Sequence, residues 1–305
     1  MPGIGNGLRG GAFARNLLSA CGAAVTAPAN GLDATPGIVP IRVSVQPIAE
    51  KFELPGSKEQ DARRAGLSLL FAAGGRPTVD DIAHLLDSPQ SGIPARVSHR
   101  PAEAEGWAEI LVSGLTFDLR GLSPADPARF DAALHAYGFE GSPPGDELEA
   151  VELVPSGHIA AGAGLRPVVR TLVSLAANLA LRLPMAAVAW YPARTVMEPR
   201  YFSRTAFNWL SGGAFPALGL TALVPADDGS IASAGLSHFI GQELRLEGRE
   251  GETRAEAVKL AIRVVDYLMR QGPLTEPQVI EGGEGGLLAE PSQVGNLVWV
   301  WRKRA

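Results

Sequence analysis

Residues 185–247 read MAAVAWYPARTVMEPRYFSRTAFNWLSGGAFPALGLTALVPADDGSIASAGLSHFIGQELRLE, and the order of elements in this stretch decides the fold. The apolar run 186–191 suits a strand. Pro199 opens a helix over 199–210, and 217–224 returns as a strand. Asp227-Asp228-Gly229 is hairpin-turn chemistry between that strand and one over 231–235, and 243–247 adds a further strand. Downstream, Thr253 with Glu256 three residues later reads as a capping box for a helix ending at Gln271. Val258, Ile262, Val265 and Leu268 or Met269 form its apolar stripe, and Gly272-Pro273 stops it. Residues 297–301 close the set as a strand, and 278–291, with its four glycines, reads as a loop.

Upstream, the same alternation recurs. A short apolar run at 67–73 ends at Gly74-Gly75 and suits a buried strand. Thr78 caps a helix over 79–86, with Asp80 and Asp81 in its first turn and Val79, Ile82, Leu85 and Leu86 on one face. Strands are expected at 95–99 and 108–117, a helix from Ser123-Pro124 to Gly138, and a last strand at 152–161. The order is β-α-β-β-α-β in each half, with one extra strand in the second, so the expected fold is α+β. Two ferredoxin-like lobes with antiparallel sheets are joined by a long apolar helix over 167–183. The corresponding division is a Gly/Ala/Pro-rich leader at 1–40, a first lobe at 41–163, a connecting helix at 164–184 and a second lobe at 185–305. In the first lobe, 41–45 alternates as an edge strand, and Leu54-Pro55-Gly56 is a turn.

Composition narrows the function classes. Of 305 residues, 46% are hydrophobic, enough for a packed core, and 27 basic against 32 acidic residues leave a net charge of −5. No broad positive field is available for a phosphate backbone, so nucleic acid is not expected as a partner. The single cysteine, Cys21, excludes an internal disulfide. Leu18-Ser19-Ala20-Cys21, below Arg9 and Arg15, is like a lipoprotein cleavage site, but its apolar run falls short of the ~7 residues of a signal core. The apolar stretch 168–181 is shorter than the ~18 residues of a membrane span. These readings predict a cytoplasmic protein without a membrane segment.

Several residues carry a family resemblance. They are Gly157-His158-Ile159 ahead of the long apolar helix, Ala189-Trp190-Tyr191-Pro192, Gly235-Leu236 and Phe239-Ile240-Gly241-Gln242-Glu243-Leu244, with Asp266-Tyr267-Leu268 leading to Gly272. In this order, mainly over residues 150–272, the chain resembles a family of uncharacterised bacterial proteins known only as a domain of unknown function. The leader and the glycine-rich 278–288 segment depart from that pattern, and no activity comes with the resemblance.

Candidate chemistry is sparse. His238 and Glu243, five apart across Gly241, together with His158, could serve acid/base chemistry if they converge between the lobes. The competing reading is a half-buried histidine beside a strand carboxylate. No HxH or HxxxH spacing supports a metal, and no cofactor is expected. Ser211-Gly212-Gly213 and residues 282–286 lack the lysine and the strand-to-helix context of a phosphate loop. Ser156-Gly157-His158 lacks the glycine spacing of a nucleophile elbow.

Trp190, Arg194, Arg200, Tyr201, Arg204 and Trp209 fall within twenty residues and have the composition of an interface hot spot. Against this, the aromatic residues could pack a helix onto a sheet while the arginines stay solvated. Trp299 and Trp301 share a face opposite Val298 and Val300, and burial against a helix is expected for them. The leading expectation is a non-catalytic protein-binding or adaptor module, a toxin or secreted effector being one such partner. The alternative is a hydrolase or other small-molecule enzyme built on His158, His238 and Glu243.

Overall fold

Strand β1, Leu67–Ala72, shows how the fold is layered, because its side chains serve two cores at once. Leu67, Leu69 and Phe71 enter the main core, while Leu70 faces a second, smaller cluster with Ala150, Ala187, Ala189 and Val196. A strand buried on both faces reads as a continuous apolar run, which is why LSLLFA lacks the usual alternation. The computed structural model describes residues 66–89, 92–145, 147–281 and 286–302, all within one compact unit. The expected leader, the 41–45 strand, the 54–56 turn and Cys21 lie outside the described residues.

Around β1 the chain builds an eight-stranded sheet. Its strands are β2 (Ala95–His99), β3 (Trp107–Val112), β4 (Leu115–Arg120), β5 (His135–Tyr137), β6 (Leu148–Pro155), β7 (Ala187–Trp190) and β8 (Thr195–Met197). The order is β2-β3-β4-β6-β1-β7-β8-β5, antiparallel except for the β5/β8 pair. Helix α1 (Val79–Asp87) starts at the Thr78 capping box and packs beside β2. The run at 108–117 is two strands, because Ser113 and Gly114 take positive φ and fold it into a two-residue hairpin.

Helix α2 (Arg166–Ala180) lies on this sheet and against α3 (Pro199–Leu210). Then follow β9 (Ala222–Pro225), β10 (Ile231–Ala234), the single turn α4 (Ser237–Ile240), β11 (Glu243–Leu246) and α5 (Arg254–Gln271). Strands β12 (Gln278–Ile280), β13 (Leu287–Pro291) and β14 (Leu297–Arg302) complete a six-stranded sheet ordered β12-β13-β14-β11-β10-β9. Helix α5 covers one face of it, burying Ala257, Leu260, Ala261, Val264, Val265, Leu268 and Met269. Val258 and Ile262, expected in the stripe, are only partly buried.

The protein is therefore a mixed α+β fold with two sheets and few helices, and further sequence expectations need correction. The topology does not confirm two ferredoxin-like lobes joined by a linker helix. β7 and β8, from the expected second half, pair into the first sheet, and the main core runs from β1 through α2 and α3 to α5 and β14. The helix expected from Ser123 to Gly138 is absent. Pro127 drives Asp126 away from helical geometry, and the segment instead lays Ala128, Phe130 and Ala133 over the second core. The expected loop at 278–291 contains β12 and β13, whose inward residues Ile280, Leu287 and Ala289 are buried. Trp299 and Trp301 are not buried against a helix. Val298 and Val300 take the core face, and the two indoles stack on each other at 5.4 Å on the other side of the sheet.

Candidate functional site

Glu198-Pro199 fixes the start of α3 and with it the position of most of the predicted binding cluster. Pro199 occupies the first turn, and the Glu198 carboxylate accepts from the amides of Arg200 at 2.9 Å and Tyr201 at 2.6 Å. The 3.6-residue period then turns Tyr201, Phe202, Ser203 and Ala206 inward and leaves Arg200 and Arg204 exposed. Tyr201 is 4% exposed, and its hydroxyl donates to the Leu218 carbonyl at 2.9 Å. Its ring approaches Gly138 so closely that a Cβ there would lie 2.3 Å from the Tyr201 Cβ. Arg204 lies 5.9 Å above the same ring.

The two tryptophans of the cluster divide. Trp190 is fully buried, stacked on Phe239 and edge-on to His238 at 5.2 Å. Trp209 is half-buried, with Arg170 above it at 5.1 Å and Phe215 against its edge. Arg194 is exposed at the end of the turn after β7, in the left-handed region at φ 50°. Of the six residues, Trp190 and Tyr201 are core, Trp209 is intermediate, and Arg194, Arg200 and Arg204 face solvent. The arginines do not gather at one depression, since Arg200 and Arg194 line different ones.

His158, His238 and Glu243 have different surroundings. The exposed His158 ring shares a 3.0 Å hydrogen bond with the Thr116 hydroxyl. Glu243 accepts five hydrogen bonds, from the hydroxyls of Ser233 and Ser237 and the amides of Gly235, Leu236 and Ser237, at 2.5–3.2 Å. Its carboxylate closes the turn that leads into α4. Gly235 in that turn has φ 86°, and a Cβ there would lie 2.8 Å from Ala193, so the turn requires glycine. His238 Nε2, like Trp190 Nε1, is buried without a hydrogen-bond partner among the described residues. Burial pushes the His238 imidazole down from 6.5 to about 4, so it is neutral at pH 7. Gln242, next to Glu243, is also structural, with its amide bridging Leu274 and the Gly295 carbonyl.

Comparison with protein-family models, curated proteins and solved structures gives no match. The functional reading therefore rests on the geometry of this chain.

One polar network was not visible in the sequence. Ser156 donates to the Asp118 Oδ1 at 2.5 Å, and Arg120 holds the other oxygen at 2.8 Å. Register places Arg120 opposite Glu152, itself 5% exposed. The polar alternation of 118 and 120 within an apolar strand is the only local signal. The partners are 38 residues apart. A serine donating to a carboxylate, with no imidazole to take its proton, is not an activated nucleophile. Among the described residues no group of three or more His, Cys, Asp or Glu could hold a metal, and no helix is long and apolar enough to cross a membrane.

Two depressions among the described residues offer places for a ligand. The larger, about 450 Å³, is an open groove between the end of α2 and the start of α3. Phe139, Leu181, Leu183, Met185 and Pro199 line it, together with Arg200. Leu181 is 53% exposed there. The smaller, about 190 Å³, lies beside β7 and is lined by Phe130, Asp131, Ala133, Ala189, Tyr191 and Arg194, among others.

Proposed function

We propose that this protein is a non-catalytic binding module whose partner seats an apolar side chain in the α2/α3 groove and sets a carboxylate against Arg200. The observation that carries this reading is the groove itself: the exposed Leu181 and the partly buried Phe139, Leu183 and Met185 share it with the exposed Arg200, whose side chain makes no hydrogen bond among the described residues. An apolar pocket flanked by an arginine is the pairing that anchors protein interfaces, because the ring and aliphatic atoms supply area and the planar fork supplies direction. The Glu198 carboxylate at the same groove is occupied by the α3 amides, which reduces its competition with an incoming acid. The partner chemistry is therefore an acidic, apolar-tipped protein segment, for which a toxin or secreted effector is one source. The hydrolase alternative lacks support, since His158 and Glu243 hydrogen-bond to different neighbours and His238 packs on Trp190.

The test uses exposed groove positions rather than Tyr201, whose truncation would open a cavity in the core. Wild type, Leu181→Asp and Arg200→Glu are used as baits in extracts of the source cell, with folding checked by circular dichroism. A partner retained by wild type is expected to be lost from both variants and to bind purified wild type at least about tenfold more tightly than Arg200→Glu, the effect of one charge-assisted contact. A partner that binds all three proteins equally would remove the groove from the interface. No partner at all would leave the module reading without support.

A further inference from the structure

The smaller cleft has a different chemistry from the groove, and its walls can be read by elimination. Thr195 Oγ1 donates to the Gly219 carbonyl at 2.5 Å. The Tyr191 hydroxyl shares a 2.6 Å hydrogen bond with Ser68 and donates to the Arg129 carbonyl at 3.0 Å. Both hydroxyls are thus occupied. Phe130 and Ala133 supply apolar wall, while Ala189 and Trp190, also in the lining, are buried. What remains is one acid and one base, Asp131 and Arg194, both exposed and not paired with each other. Arg194 makes a single long side-chain bond, 3.3 Å to the Ala132 carbonyl, out of a donor capacity of five. The Asp131 carboxylate makes no hydrogen bond among the described residues.

The backbone holds this arrangement at a conformational cost. Arg194 is a non-glycine residue at φ 50°, ψ 44°, held there by its amide on the Tyr191 carbonyl and by its own carbonyl, which accepts from Leu134 and His135. Strained residues of this kind persist where the surroundings over-determine them, and they gather at ligand clamps. The two strands that pin Arg194, β5 and β8, border the segment that carries Asp131, so both charges are referred to one rigid frame.

We propose that this cleft binds a small zwitterion of the α-amino-acid class, its carboxylate on Arg194, its ammonium on Asp131 and its side chain on Phe130 and Ala133. Two opposite charges that share a small cleft without pairing are complementary to a ligand that carries both. At about 190 Å³ the cleft is smaller than the ~300–1,000 Å³ of sites for drug-sized ligands, so the occupant is a small metabolite. This site is independent of the α2/α3 groove.

The proteinogenic L-amino acids are screened one at a time by thermal shift against the full chain, and the best is carried to calorimetry. Its decarboxylated amine and its deaminated acid are titrated beside it. The expected result is saturable binding of the amino acid, with both half-ligands at least about tenfold weaker. Asp131→Asn and Arg194→Gly are each expected to weaken it to a similar degree. Arg194→Gly suits the left-handed backbone, and Asp131 is exposed, so both variants keep the fold, which an unchanged melting temperature without ligand verifies. The proposal is overturned if no amino acid binds, if either half-ligand binds as well as the whole, or if neither variant alters the affinity.

Discussion

His238 enters the core uncharged, and this makes stability depend on pH. Its folded pKa is depressed to about 4 by burial, against 6.5 in the unfolded chain. The unfolded state therefore takes up a proton that the folded state refuses, and stability is complete above pH 6.5 and declines as pH falls towards about 4. Between pH 7 and pH 5 the loss attributable to this one residue is roughly 2 kcal/mol. Urea titrations at the two pH values should show a lower midpoint at pH 5, and His238→Phe should remove that share of the difference. An identical pH dependence in the variant would refute the assignment. The same residue shows where sequence reading stops. The five-residue spacing of His238 and Glu243 suggested a pair, but Glu243 turns back to the amides of 235–237 while His238 packs on Trp190. Neither direction is encoded in spacing, because both depend on which strands lie alongside.

At the scale of elements, the information that was local was readable. Thr78 and Thr253 each form a reciprocal capping box with the acid three residues on, as their sequences indicate. Thr253→Ala should therefore cost about 1 kcal/mol in urea unfolding, and Thr253→Ser much less. An Ala variant as stable as wild type would mean that tertiary packing alone holds the start of α5. Glycine and proline were readable only when their neighbours agreed. Ser123-Pro124 looked like a helix start, but Pro127 made the first turn untenable, and the segment became the cover over Leu70 and Ala189 instead. In 278–291 the glycine count masked two strands whose alternation lies in just Ile280, Leu287 and Ala289. Part of the candidate site was legible as composition: Arg194 and Arg200 were singled out by their cluster. The cleft was not legible, because Asp131 reaches it only through the non-helical course of 121–134.

For the whole described molecule, the main question is whether its two sheets unfold as one body. The core residues suggest that they do. Leu172 and Val173 of α2, Ala206 of α3, Leu268 of α5 and Val298 of β14 belong to one cluster without an apolar break. Polar bonds cross the same boundary: the Arg166 guanidinium donates to the Met269 carbonyl, and the Asp266 carboxylate accepts from the Phe215 amide at 2.9 Å. Removing buried volume on either side should thus destabilise both sheets. Leu172→Ala, beside the first sheet, and Val298→Ala, in the second, should each lower a single unfolding midpoint, the former by roughly 2–5 kcal/mol. Far-ultraviolet dichroism and tryptophan fluorescence should trace the same transition in wild type and in both variants. Two separated transitions, with Leu172→Ala moving one and Val298→Ala the other, would show instead that the sheets fold independently. The continuous cluster would then be a contact between two cores, and the groove formed by α2 and α3 would belong to the first sheet alone.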